Sequence, residues 1–458
     1  MSSASLTSPP QTKRSPEELA ARAIARRAVE AVGWGMPAVN FDLMLQAVLR
    51  AGGKPNQIVY WSRPISWKNQ TLTPNPDTIY IMPFYDTKAA GPMVLEIPAA
   101  DGETSLVGSV DDAWQTAIED IGPAGVDQGK GGKYLILPPD HTGPVPAGFI
   151  PLASETYCGF ALIRSSLKSM TDEGIGRAVA YAKRIQFYPL SQAANPPATP
   201  FVDAIDEVFD STIPYDIRFF ESLDHVVQRE PWLTRDKAMI DVLRTIGIEK
   251  GKPFQPDAKT REILENGIRE AQAEMDSIYE QWFPPFAEGA RWALPTLPEV
   301  AEELPTGFVH PDRYPIDGRG RLYSYVYFSA KHLGAGQFYL MTIHDQSGQP
   351  LDGGSAYRLT VPANAPVRLY WSATVYDRAT HALIRDTRWS SRSSLSTGIA
   401  KNADGSTTVY FGPEAPTGKE ANWVPTKAGA GFEVLFRLYG PEKPFFDKVW
   451  KLPDIEKA

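Results

Sequence analysis

The stretch WKNQTLTPNPDTIY, Trp67 to Tyr80, sets a lysine, an aspartate, asparagines and threonines ahead of an apolar run. An aspartate can serve as acid, base or anchor for a ligand hydroxyl. A facing lysine would hold it ionised, whereas desolvation without a partner would suit it to proton transfer. Asp77 is accordingly the candidate catalytic group and Lys68 its electrostatic partner. Asn69, Asn75 and Thr78 would orient a ligand, and Tyr60, Trp61, Trp67 and Tyr80 would supply an apolar wall. Aromatics with a few convergent polar groups are what small-molecule pockets use. The same Asn75-Pro76-Asp77-Thr78 run also spells an ordinary turn, with Pro fixing φ and Asp and Thr bonding locally.

A second cluster, SVDDAWQTAIED, brings Asp111, Asp112, Glu119 and Asp120 around Trp114, a further candidate for the binding wall. Paired carboxylates can bind a hard cation or run acid–base chemistry, but a solvated acidic loop is the favoured reading. Arg164 closes the run CGFALIR and suits either a ligand carboxylate or a surface ion pair. In the C-terminal half Trp371, Tyr376, Trp389, Asn422, Trp423, Arg437 and Tyr439 could line a pocket. Trp371 and Tyr439 read as core aromatics, while Asn422 and Trp423 stay candidates for binding.

Other chemistries lack a signature. GPAGVDQGKGGKY has no Walker spacing and reads as a hairpin loop. The six histidines form no short-spaced pair, so no metal site is expected. No G-x-S-x-G elbow occurs, and the lone Cys158 reads as a small buried hydrophobe. The expected reaction is therefore hydrolytic or eliminative, on a small molecule, with no organic cofactor. The alternative is a non-catalytic ligand-binding or assembly protein, in which the aromatics anchor an interface.

These residues must be positioned by 458 residues of globular composition, 43% hydrophobic and 22% charged. A net charge of −8 argues against nucleic acid or an anionic membrane as partner. There is no apolar run long enough to span a bilayer and no secretory signal as written. The expected compartment is the cytoplasm, or the periplasm or exterior if a signal has been removed; a homo-oligomer is expected, of no fixed number.

Residues 1–14 read as disordered, 15–170 as helices plus a first β domain, 171–300 as a helical bridge and 301–458 as a second β domain. Ser15 starts a helix to about Gly33, and a second runs from Asn40 to Arg50. Asp257 caps a helix over 258–282 with Leu264, Ile268, Ala271, Met275, Ile278 and Trp282 on one face. The short β-rich runs before and after this bridge predict a mainly β protein with two related antiparallel sandwich or barrel domains. LYSYVYFSA, from Leu322, reads as the first strand after the bridge.

Their relatedness rests on YIMPFYDTKAAGPMVLEIPA (from Tyr80) and YLMTIHDQSGQPLDGGSAYRLTVPA (from Tyr339), which share Tyr, Met, Asp, a Gly-containing turn and a final Pro-Ala. Downstream, Ser109 with Asp111 is matched to Ser372 with Asp377, and Gly122-Pro123 to Gly412-Pro413. The Asn-Pro-Asp-Thr cluster belongs to the first copy only.

TPNPDTIYIMPFYD, GKYLILPP and ALIRS resemble the N-terminal module of a bacterial family, number 1254 of the domains of unknown function. PVRLYWSATVYD, NADGSTTVYFG, ANWVP and FEVLFRLYGPEKPFFDKVWKLPDIE resemble its partner module, number 1214. The resemblance implies two β-rich domains in tandem from about Val39 to the end, often exported in relatives, and implies no activity.

Overall fold

The computed structural model describes residues 14–281, 283–326, 330–332 and 336–458. Apart from Arg14, the segment 1–14 lies outside the described residues, as does Trp282.

Helix α1 (Pro16–Arg50) starts as its sequence dictates, with the Ser15 hydroxyl accepting the Glu18 N–H at 3.1 Å and Pro16 in the first turn. The expected break between Gly33 and Asn40 does not occur. The helix runs on for 35 residues with Pro37 inside it. Two glycines of α1 serve packing and do not stop it: a Cβ on Gly35 would lie 2.8 Å from Leu223, and one on Gly320 would lie 2.5 Å from the Gly33 carbonyl oxygen. Burial of Trp34, Met36, Val39 and Phe41 offsets the local cost of the proline. Helices α2 (Ile217–Arg229), α3 (Ala258–Gln281) and α4 (Ile316–Tyr325) pack against α1. Asp257 caps α3 by accepting the Thr260 N–H at 2.7 Å. Helix α4 corrects the strand expected from Leu322: Leu322–Tyr325 are helical and buried, and 327–329 lie outside the described residues.

The first β copy comprises β1 (Ile79–Asp86), β2 (Met93–Ile97), β3 (Leu106–Asp112), β4 (Ala117–Ile121), β5 (Gly132–Leu137), β6 (Ile150–Ala153) and β7 (Cys158–Ser165). The second comprises β8 (Gln337–Thr342), β9 (Tyr357–Val361), β10 (Val367–Asp377), β11 (Ser391–Ser393), β12 (Thr407–Gly412), β13 (Trp423–Pro425) and β14 (Phe432–Pro441). The first sandwich contains the orders β1-β7-β3-β4 and β2-β5-β6, and the second repeats them as β8-β14-β10-β11 and β9-β12-β13. Even the parallel pairs correspond, β5 with β6 and β12 with β13. The fold is mainly β, two related antiparallel sandwiches with helices between and around them.

Register gives the residue equivalences. Tyr80 pairs with Arg164, and Tyr339 with Arg437. Arg164 then pairs with Val107, and Arg437 with Ser372. Val107 therefore answers Ser372, Ser109 answers Thr374 and Asp112 answers Asp377, which corrects the matches drawn from local sequence likeness. Gly122 follows β4 whereas Gly412 ends β12, so those two do not correspond. Nor is 122–131 a hairpin: β4 pairs with β3 and β5 with β2, so the loop crosses between the two sheets.

Strand alternation gives the larger sheet of each copy two buried faces. One face fills its own sandwich, with Ile81 and Ile163 in the first copy and Leu340 and Phe436 in the second. The opposite faces, carrying Tyr80, Met82 and Leu162 or Tyr339, Met341 and Leu435, share one core with the helices. That shared core is the seam between the copies.

Candidate active site between the two sandwiches

The segment entering β1 is clasped by the second sandwich. Asn75 Nδ2 donates to the hydroxyls of Tyr370 (3.0 Å) and Tyr439 (2.8 Å), whose rings stack 4.4 Å apart. Tyr376 donates to the Pro74 carbonyl at 2.7 Å, and Arg437 to the Thr73 carbonyl at 2.7 Å. Thr73 is β-branched yet sits at φ 41°, a strained conformation held by these bonds and by its own N–H to the His381 carbonyl. The turn expected from the sequence is also present, with Asp77 N–H donating to Asn75 Oδ1 at 3.0 Å.

Asp77 is 2% exposed and accepts the Ser391 hydroxyl at 2.6 Å. Burial pushes its carboxyl above the ordinary aspartate range; hydrogen bonds from Ser391 and Ser393 and the charges of Arg437 and Arg392 offset this only in part. Together with Ser391 it lines a groove of about 610 Å³ walled by Trp67 and Trp389. Arg392 also lines the groove, its guanidinium 3.8 Å from the centre of the Trp389 ring. Its terminal nitrogens donate to the Ser391 and Glu420 carbonyls at 3.3 Å, and its Nε is buried without a partner. Burial pulls Arg392 down to about 10, with Asp77 opposing the shift. A carboxyl that burial makes a better proton acceptor than an ordinary aspartate, beside the Arg392 cation in the same groove wall, is equipped for acid–base chemistry at a polarised carbonyl.

Lys68 does not join Asp77. It is half-buried and its ammonium bonds the Asp206 carbonyl at 2.7 Å, so the cations beside Asp77 are Arg392 and Arg437. Trp67 reaches the groove, but Tyr60 packs edge-on to Phe201, and Trp61 packs against Tyr80 and Phe209. Asn69 accepts from the Thr71 hydroxyl at 2.7 Å, and Thr78 donates to the Ser165 carbonyl at 3.1 Å. Trp114 lies beneath α1, 4.6 Å from the Trp34 ring. Asn422 clamps the backbone at Ala400 and Thr408, while Trp423 buttresses Trp389 at 6.3 Å.

The acidic cluster is not a solvated loop. Asp111, Asp112 and Asp120 are all buried. Asp112 accepts the Trp114 and Thr116 N–H groups at 2.8 and 2.9 Å, and burial raises it to about 6. Asp120 accepts Ser109 Oγ at 2.7 Å and, from the segment entering β8, the Lys331 and His332 N–H groups at 2.9 and 2.7 Å. Among the described residues no group of three His, Cys, Asp or Glu side chains could hold a metal. No helix among them is long and apolar enough to cross a membrane.

Sequence reasoning missed Ser391 and Arg392. Their run, RWSSRSS, carries no motif, and only its polarity between aromatic strands could have drawn notice.

The family described as protein of unknown function DUF1254 matches residues 55–189, and that described as DUF1214 matches 336–443, together just over half of the chain. The chain belongs to the two families in tandem. The first match encloses every strand of the first sandwich of this DUF1254–DUF1214 chain, and the second every strand of the other. No curated protein matches it. Among solved structures it is similar to the VPA0106 protein from Vibrio parahaemolyticus, at 18% identity and a TM-score of 0.59 over 95% of this chain and 100% of that one. That likeness shows the shared fold. A putative uncharacterized protein from Burkholderia cenocepacia is more distant, at 11% identity and a TM-score of 0.43 over 96% and 94%.

Proposed function

We propose that the protein is an enzyme acting on a small, partly apolar carbonyl compound by hydrolysis or elimination, with Asp77 as its proton-transfer group. The observation that carries this reading is a nearly inaccessible carboxyl, raised by desolvation, in the wall of a 610 Å³ groove that both sandwiches build. In hydrolysis, ionised Asp77 takes a proton from water as the water oxygen bonds to the carbonyl carbon. Negative charge then forms on the carbonyl oxygen, where the positive charge of Arg392 in the groove wall stabilises it. The protonated carboxyl returns its proton to the leaving group as that bond breaks. In elimination the same carboxylate removes the proton next to the carbonyl, a carbon–carbon double bond forms as the β-substituent leaves with its electron pair, and the carboxyl returns the proton to that leaving group. Trp67 and Trp389 supply the apolar walls.

The test is turnover of a panel of esters, amides, lactones and β-substituted carbonyl compounds by wild type and Asp77→Asn. Removing a general base costs typically ~10²–10⁴-fold, and Asn retains the shape and an acceptor for Ser391. A loss of that size in a variant with unchanged near-ultraviolet circular dichroism supports the proposal; unchanged turnover removes Asp77 from the role.

A second reading has its own support. The Asn75 amide and the Pro74 and Thr73 carbonyls all bond the second sandwich, as an assembly element would. On that reading the groove binds without reacting, and the panel yields ligands that shift the melting temperature but no products.

A further inference from the structure

The two copies exchange the segments that enter their first strands. The one before β1 reaches Ser391 on β11, and the one before β8 reaches Asp120 on β4. Ser391 and Asp120 are equivalent positions, since Thr374 pairs with the former and Ser109 with the latter. The seam therefore has two related halves, each centred on an arginine laid over a tyrosine ring: Arg437 is 5.3 Å from the centre of Tyr339, and Arg164 is 5.4 Å from that of Tyr80.

The halves differ in what meets the arginine. Arg437 donates to the Thr73 carbonyl, the Tyr376 hydroxyl and Thr374 at 2.7, 2.6 and 3.0 Å. Arg164 is 7% exposed, yet has no carboxylate or carbonyl acceptor among the described residues, and its Nε is buried without a partner. Beside it lies a cavity of about 60 Å³ whose walls include Val107, Ile121, Leu294 and Phe338. Two more of its side chains, Thr296 and Gln337, have buried polar oxygens without partners. Asp120 also borders the cavity, but its oxygens are occupied by Ser109, Lys331 and His332.

We infer that this cavity binds a short-chain carboxylate of about the size of acetate or propionate. Its two oxygens bond the Arg164 guanidinium and its alkyl end rests on Val107, Ile121 and Phe338. A desolvated guanidinium without an anionic partner is costly, and a carboxylate matches its planar fork. The anionic group belongs against Arg164, because Asp120, which also borders the cavity, repels it. Cavity and groove are distinct: Asp77 does not border the cavity, and Arg164 does not border the groove. The site is thus an additional one, which ties the two copies together when filled.

The test is calorimetric titration of the whole protein with sodium propionate, set against neutral propionamide and against sodium chloride at equal ionic strength. Saturable binding of propionate alone is expected, and Arg164→Gln should weaken it roughly tenfold or more, the range for hydrogen bonds to a charged group. Val107→Phe, which fills the cavity and keeps the arginine, should abolish it; it serves as the test if Arg164→Gln does not fold. No propionate binding, equal binding of propionate and propionamide, or binding unchanged in the variant that folds would overturn the inference.

Discussion

Asn75 gives both protons of its amide to tyrosine hydroxyls of the other sandwich, while Asp77, two positions on, accepts the Ser391 hydroxyl and lines the groove. The two are adjacent in sequence but differ in what their removal should do. Asn75→Ala leaves two buried hydroxyls to find new partners at the seam, and should lower stability by about 2 kcal/mol; urea unfolding measures this, and a loss below ~0.5 kcal/mol would show that the clasp is weak. Asp77 was legible because a carboxylate among aromatics and amides is conspicuous. Lys68 was misjudged because proximity in sequence says nothing about where a flexible stem points, and its ammonium found the Asp206 carbonyl. Ser391 and Arg392 were illegible, since they become relevant only when β11 is laid beside Asp77 from over 300 residues away.

Helix α1 shows where local rules give way to packing. A stop was expected at about Gly33, yet the helix continues, with Gly35 tight against Leu223 and Gly33 beneath Gly320. Gly320 in α4 is the sharpest case: a Cβ there would sit 2.5 Å from the carbonyl oxygen of Gly33. Helix propensity alone makes Gly→Ala favourable by up to ~1 kcal/mol. We expect Gly320→Ala to destabilise instead, by roughly 2 kcal/mol, because backbone cannot yield as a side chain can. Thermal unfolding decides it, and an increase in melting temperature would mean that α1 and α4 pack less closely. Strands were more legible than helices: the runs YIMPFYD, GKYLIL, CGFALIR, TTVYFG and FEVLFRLYG become β1, β5, β7, β12 and β14. Leu322–Tyr325 misled because aromatic, β-branched-like density suits a buried helix equally well.

At the level of the entire chain, duplication was visible in two short strand–turn–strand stretches and proves to embrace both sandwiches, strand for strand. The finer matches failed because equivalence follows from pairing register, which local likeness does not reveal. The exchange of entering segments was beyond the reach of sequence, since it depends on how the copies face each other. It is also what buries Asp77, so the state of that carboxyl reports on the seam as a whole. With its native pKa raised above the unfolded value, Asp77 favours the native state while protonated, near and below pH ~4; that contribution is lost as pH rises through the native pKa. The most direct test is the carboxyl titration of Asp77, taken as the carbon-13 difference between wild type and Asp77→Asn. A midpoint clearly above the ordinary aspartate value of about 3.9 is the predicted result, and a midpoint at or below it would contradict the account.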